Sequence, residues 1–206
     1  MSNVYIEPRP KGRPKGDPID DYVVEDHADH ILATFKTQRV RAILGIPPSD
    51  HVVLVTFGGI QSETRVQLPN IAGVHWIALP SVARGNVADV SRFGMSFIDV
   101  LASSDAVVTK IGYATFVEAA CNGLGIVSAP RADWPESGPL IEWAKQNANF
   151  ALMEDGIEDT RGFRAALTAV LNAPSRMAVR ASGVAEAVEI IAGIAGLSYQ
   201  GAGFVR

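Results

Sequence analysis

A single cysteine, Cys121, stands in 206 residues. With no second thiol, an internal disulfide and a multi-cysteine metal centre are both excluded. Histidine is scarce too, at His27, His30, His51 and His75. His27 and His30 sit three apart beside Asp26 and Asp29, yet their surroundings offer nothing of the open site that catalytic zinc requires. The pair reads as a solvated polar turn, so neither a metal nor a cofactor is expected. Long apolar runs are also lacking: none reaches the roughly 18 uninterrupted residues that span a bilayer. The N-terminus holds Pro8, Pro10, Pro14 and Pro18 among Lys and Arg but lacks the apolar centre of a signal peptide. A cytoplasmic location is the expectation, and residues 184–197 are the stretch suited to a partner or a membrane surface. Excess positive charge is absent as well. The formal net charge of −4 excludes a broad electrostatic footprint for nucleic acid.

What the chain does have is globular composition, with 48% hydrophobic and 19% charged residues. Residues 1–30 form a Pro-rich arm or linker, 31–198 the folded domain and 199–206 a tail. Residues 31–45 carry apolar side chains at helical spacing and stop at Gly45, a C-cap signal. The near-continuous apolar run at 51–57 (HVVLVTF) predicts a strand buried on both faces of a parallel sheet. A short helix fits within 61–69, a strand at 74–79, a polar loop at 85–92 and a helix at 95–103. A regular alternation follows: strands at 105–111, 125–129 and 148–153, helices at 113–122, 136–146 and 160–171. A long Ala-rich helix over 175–195, weakened at Gly183, closes the fold. This order predicts right-handed βαβ units and a doubly wound, Rossmann-like α/β domain with a parallel sheet.

Ligands of such sheets bind outside the carboxyl ends of the strands, so the strand-to-helix turns are the places to search. At the turn after Ile111, Gly112 lets a backbone approach closely and Tyr113, Ala114 and Thr115 open a helix. The free N–H groups and positive dipole end of that helix make an anion site. Lys110 either adds a charge beside a diphosphate or is simply solvated. Glu118, one turn beyond Thr115, is at the right distance to accept hydrogen bonds from ribose hydroxyls, or is an ordinary exposed-face acid. Gly58 and Gly59 form a second small-residue turn, with Gln61 and Ser62 as nearby donors; a tight turn alone also explains them. The third turn holds Arg131, Trp134, Glu136 and Ser137. Arg131 stands where packing rarely needs a charge, Glu136 can complement a helix dipole, and Trp134 packs under the loop or lines a sugar pocket. GxGxxG, Walker and GxSxG patterns are all absent, as is a Ser–His–Asp candidate.

The run DAVVTKIGYATFVEAACNGLGIVSAPRADWPES (residues 105–137), preceded by a strand ending in Gly-Gly, resembles the C-terminal domain of GT-B glycosyltransferases. The pattern is similar to that of the peptidoglycan N-acetylglucosaminyltransferase family. It also resembles the glycosyltransferase-like half of some plant sugar kinases, where a K-I-G-Y-x-T-x-x-E-A run occurs. The resemblance extends over residues 38–195. It implies a UDP-sugar or similar donor, with Gly112, Ala114 and Thr115 on the diphosphate and Glu118 on the ribose. It further implies that Gly58 and Gly59 face the donor, that residues 130–137 reach the sugar, with Glu136 and Ser137 as polar contacts, and that backbone near 79–82 reads the base. Complete members have an acceptor-binding domain before this one. Here Pro-rich residues precede the first strand, and Glu63 replaces a further small residue after Gly58-Gly59-Ile60-Gln61-Ser62. The expectation is a donor-binding half completed by a second domain, a partner subunit or a homo-oligomer. Two other classes stay open: a non-catalytic regulatory or interaction module, and a nucleotide-sugar hydrolase or epimerase.

Overall fold

The computed structural model describes residues 38–57, 68–80, 82, 85–131, 133–179, 183–195, 198–199 and 204–205. The Pro-rich arm with His27 and His30, the Gly58-Gly59 turn and most of the helix expected within 61–69 lie outside the described residues. The chain divides into two compact units, the larger running from 31 to 179.

In the larger unit, helix α1 (Gln38–Leu44) ends at Gly45, which adopts φ 65° and so takes the left-handed turn read from the sequence. Strands β1 (His51–Val55), β2 (Val74–Ala78), β3 (Ala88–Asp89), β4 (Ala106–Lys110), β5 (Gly125–Ala129) and β6 (Phe150–Leu152) form one sheet in the order β3-β2-β1-β4-β5-β6. Every described pairing in it is parallel. Helices α2 (Phe97–Ala102), α3 (Tyr113–Cys121), α4 (Ser137–Asn147) and α5 (Thr160–Asn172) connect or follow the strands. The architecture is the doubly wound α/β class that the alternation predicts.

Strand periodicity assigns the two cores. Val52, Leu54, Ile77, Val107 and Ile126 face one side with Val40 of α1, Leu101 of α2, Phe116 of α3 and Leu140 of α4. Val53, Val55, Trp76, Val108 and Val127 face the other with Phe163, Leu167 and Val170 of α5. The expected burial of β1 on both faces is thus realised. Burying each such side chain stabilises the fold by about 1.5–3 kcal/mol. At the amino edge, Asp105 Oδ2 accepts from Val52 N–H at 2.7 Å and from Arg41 Nη2 at 2.6 Å, tying α1, β1 and β4 together.

Two expectations change. Residues 85–92 are not all loop: Ala88 and Asp89 add an edge strand, and a 3-10 turn follows at Val90–Phe93. The Asp89 carboxylate accepts from Ser91 N–H and Oγ–H while Val90 and Phe93 bury their side chains, a combination too short to leave a periodic signal. The helix expected over 175–195 is shorter. Residues 174–179 are not helical, because tertiary bonds hold them: Val179 N–H donates to Ala120 O and Arg176 Nη1 to Gln146 O. Helix α6 (Gly183–Ile194) and the antiparallel pair β7 (Ser198–Tyr199) and β8 (Phe204–Val205) belong to the other unit. No helix among the described residues is long and apolar enough to cross a membrane.

Candidate functional site

Successive strands step to one side of β1 up to β3 and to the other side from β4 on, so the strand order switches between the parallel neighbours β1 and β4, whose Val53 and Ala106 pair. The carboxyl ends of strands at such a switch point splay their following loops apart and leave a crevice. From β1 the chain leads to Thr56 and Phe57 and then out of the described residues. From β4 it leads through Ile111 and Gly112 straight into α3.

Helix α3 starts without a side-chain cap. Gly112 occupies the N-cap position in extended backbone (φ −170°, ψ 140°), its carbonyl accepts from Phe116 N–H, and no side chain of the described residues bonds the first turn. The N–H groups of Tyr113, Ala114 and Thr115 therefore point out of the helix with the positive end of its dipole. The extended backbone is open to any residue, and a Cβ at 112 meets only the Lys110 carbonyl oxygen, at an ordinary 3.8 Å. No packing within the described protein requires glycine here; its absence of side chain leaves the helix end open.

Glu118 shares a helical face with Ala114 and Thr115, about 4.5–6 Å along the axis. It is half-buried, and no described residue gives its carboxylate a hydrogen bond or an ion pair. Burial pushes its carboxyl pKa above the usual range. A desolvated acid that its described surroundings leave unbonded is costly in a resting fold and is a mark of functional sites. Burial likewise raises the Cys121 thiol, one turn further along α3.

Lys110 ends β4 opposite Ala129. Strand alternation sets its side chain on the face of Ala106 and Val108, which pack towards α5, whereas α3 lies against the other face. An approach by Lys110 to the α3 N-terminus therefore runs over the top of the sheet.

The loop after β5 comes to the same edge. Arg131 lies with Cζ 4.8 Å from the ring centroid of Trp134, and Trp134 meets Tyr113 edge-on at 5.6 Å between centroids. Tyr113, 47% exposed, is the first residue of α3, so this aromatic pair joins the two loops. Ser137 Oγ donates to the Arg131 carbonyl at 2.8 Å, and Trp134 N–H donates to it at 3.3 Å. Glu136, exposed, is the N-cap residue of α4 but makes no side-chain cap, and α4 begins at Ser137 rather than at Glu136.

The structure thus brings Tyr113, Arg131 and Ser137 into one cluster beside the open end of α3, with Ala114, Thr115 and Glu118 along that helix. Lys110 comes from the opposite face, and Gly58 and Gly59 lie outside the described residues. Trp134 proves central to the cluster. Its sequence signal was an aromatic side chain in a Pro-flanked turn at the sheet's carboxyl edge, which two readings fitted equally. Among the described residues there is no group of three or more His, Cys, Asp or Glu placed to hold a metal ion.

No protein-family model matches the chain, and no curated protein matches it. Among solved structures, one similar chain is Os79 from O. sativa, in a crystal structure with UDP and deoxynivalenol-3-glucoside. Its TM-score is 0.44 and its identity 16% over 70% of this chain. The chain spans 38% of the length of that one. The fold assignment above rests on the sheet order and register themselves.

Proposed function

We propose that this chain is the donor-binding half of a GT-B-type glycosyltransferase, taking a nucleotide sugar whose nucleotide is UDP. The observation that carries the reading is the uncapped end of α3 at the switch point of the sheet, with Glu118, bonded by none of the described residues, one turn inside it. In this reading the N–H groups of Tyr113, Ala114 and Thr115 hold the diphosphate, and Glu118 accepts from the ribose hydroxyls. The ribose bonds offset the cost of burying that carboxylate. Lys110 contributes charge from across the sheet edge, Arg131, Glu136 and Ser137 lie on the sugar side, and Gly58 and Gly59 face the donor from the β1 loop. The chemistry these groups supply is positioning of the donor and stabilisation of the departing diphosphate. The acceptor site and the catalytic base belong to a second domain or subunit.

Calorimetric titration of the full chain with UDP and UDP-sugars tests the reading. Saturable binding is expected, weakened by Glu118→Ala. Absence of heat at millimolar UDP, or equal affinity in the Glu118→Ala protein, removes it. A regulatory module with the same fold differs in outcome: it associates with a partner or with itself but binds no nucleotide.

A further inference from the structure

We propose that Arg131, laid over the indole of Trp134, makes this site prefer a nucleoside diphosphate to a monophosphate. The inference rests on the nucleotide reading above and adds a specificity-determining residue to it.

Three observations carry it. First, the cation is held in place from both ends. Its backbone carbonyl accepts from Ser137 Oγ–H and Trp134 N–H, and its guanidinium carbon lies 4.8 Å from the Trp134 ring centroid. Second, its charge is poorly answered among the described residues. The side chain is 28% exposed, while the acid beside it, Asp133, is 3.8 Å from Nε and itself 81% exposed. A pair of that length and exposure contributes little, and the bidentate match a guanidinium favours is not made. Third, the holding ring is anchored at the candidate site: Trp134 touches Tyr113, the first residue of α3, edge-on.

A guanidinium over a ring face keeps its N–H donors at its rim, free to fork onto two phosphate oxygens. The β5 loop that carries it neighbours the β4 turn, because Lys110 and Ala129 are register partners. The α3 N–H groups hold the diphosphate through its first phosphate, which lies close to the helix axis. The second, to which the sugar is joined, extends away from the helix and meets the adjacent loop on the sugar side, where Arg131 waits. A monophosphate leaves that cation unused. Packing alone explains the contact of Trp134 with Tyr113, but it needs no cation over the ring.

The test is calorimetry of the full chain with UDP and with UMP, repeated for Arg131→Met, Arg131→Lys and Trp134→Leu, with thermal melts confirming that each variant folds. The original chain should favour UDP over UMP by about tenfold or more, the usual worth of one charged hydrogen-bonding group. Arg131→Met should bring the ratio to about threefold or less while leaving UMP affinity within about twofold, since the lost bonds are those of the second phosphate. Trp134→Leu should lower the ratio in the same direction with Arg131 still present, and Arg131→Lys should fall between. An unchanged ratio in Arg131→Met overturns the proposal, and so does an equal loss for both nucleotides. These results leave the nucleotide reading standing, whereas failure of the original chain to bind either nucleotide removes both.

Discussion

Replacing Glu118 by Gln should strengthen the fold and weaken the site at once. The carboxylate is half-buried on α3, none of the described residues bonds it, and burial raises its pKa. A raised folded-state value means that the native chain binds the proton more tightly than the unfolded chain. The favourable contribution is complete below the unfolded value, near ~4.3, and is lost as pH rises through the folded value. At neutral pH the ionised group therefore counts against the fold, and Gln keeps its shape without its charge. The side chain is partly solvated, so screening keeps the gain small. A stabilisation of about 0.5–1 kcal/mol is expected, or roughly 1–4 °C in Tm for a chain of this size. The loss at the site is larger. Hydrogen bonds to a charged acceptor contribute about 1.5–3 kcal/mol, so UDP affinity should fall on the order of ten- to a hundredfold. Urea denaturation at pH 7 and at pH 4, paired with UDP calorimetry, reads both effects. The stabilisation should shrink at the lower pH. A Glu118→Gln protein that is less stable at pH 7, or that binds UDP unchanged, refutes the reasoning.

Other perturbations test the frame that positions the site. A Cβ at Gly125 of β5 falls inside the contact shell of Val170 Cγ1 on α5, a buried side chain whose rotamer is stiff in a helix. Gly125→Ala should cost about 1–3 kcal/mol in urea denaturation, with part of the loss recovered when Val170→Ala is combined with it; additive losses would falsify the contact. Arg41→Met should cost about 2–3 kcal/mol, because Asp105 then loses its close guanidinium partner and keeps the Val52 N–H and His51, whose Nδ1 stands 3.9 Å away. Asp50 is held below the usual carboxylate range by its hydrogen bond to His75 and then by Ser49. Its contribution is present above the unfolded value and lost as pH falls through the folded one, so Asp50→Asn should flatten the decline of stability below about pH 4, read by acid titration of ellipticity.

The sheet was legible in the sequence because its strands are buried on both faces. Runs such as Val52–Val55 and Ala106–Val108 carry no polar residue to blur the reading, and Pro80, Gly112 and Pro130 punctuate the turns after β2, β4 and β5. The polar edge was harder. Ala88 and Asp89 make a strand of two residues, below the length at which alternation can be seen. Residues 174–179 have an Ala-rich sequel that favours helix, yet hydrogen bonds to Ala120 and Gln146, remote in sequence, decide their path. The candidate site shows the same division. Gly112, Tyr113 and Glu118 are placed by one strand and one helix, so spacing along the chain locates them. The joining of Tyr113 to Arg131 depends on Trp134 crossing between two loops, and no local pattern encodes that contact. The opposite facing of Lys110 was implicit in strand alternation, since it stands two residues from Val108.

The central claim, that the open end of α3 receives the diphosphate of a nucleotide, has a direct readout at the N–H groups themselves. Titration of the ¹⁵N-labelled full chain with UDP should shift the amide resonances of Tyr113, Ala114 and Thr115 first and furthest, with saturation at one equivalent. The account is contradicted if UDP at millimolar concentration leaves those three amides unmoved.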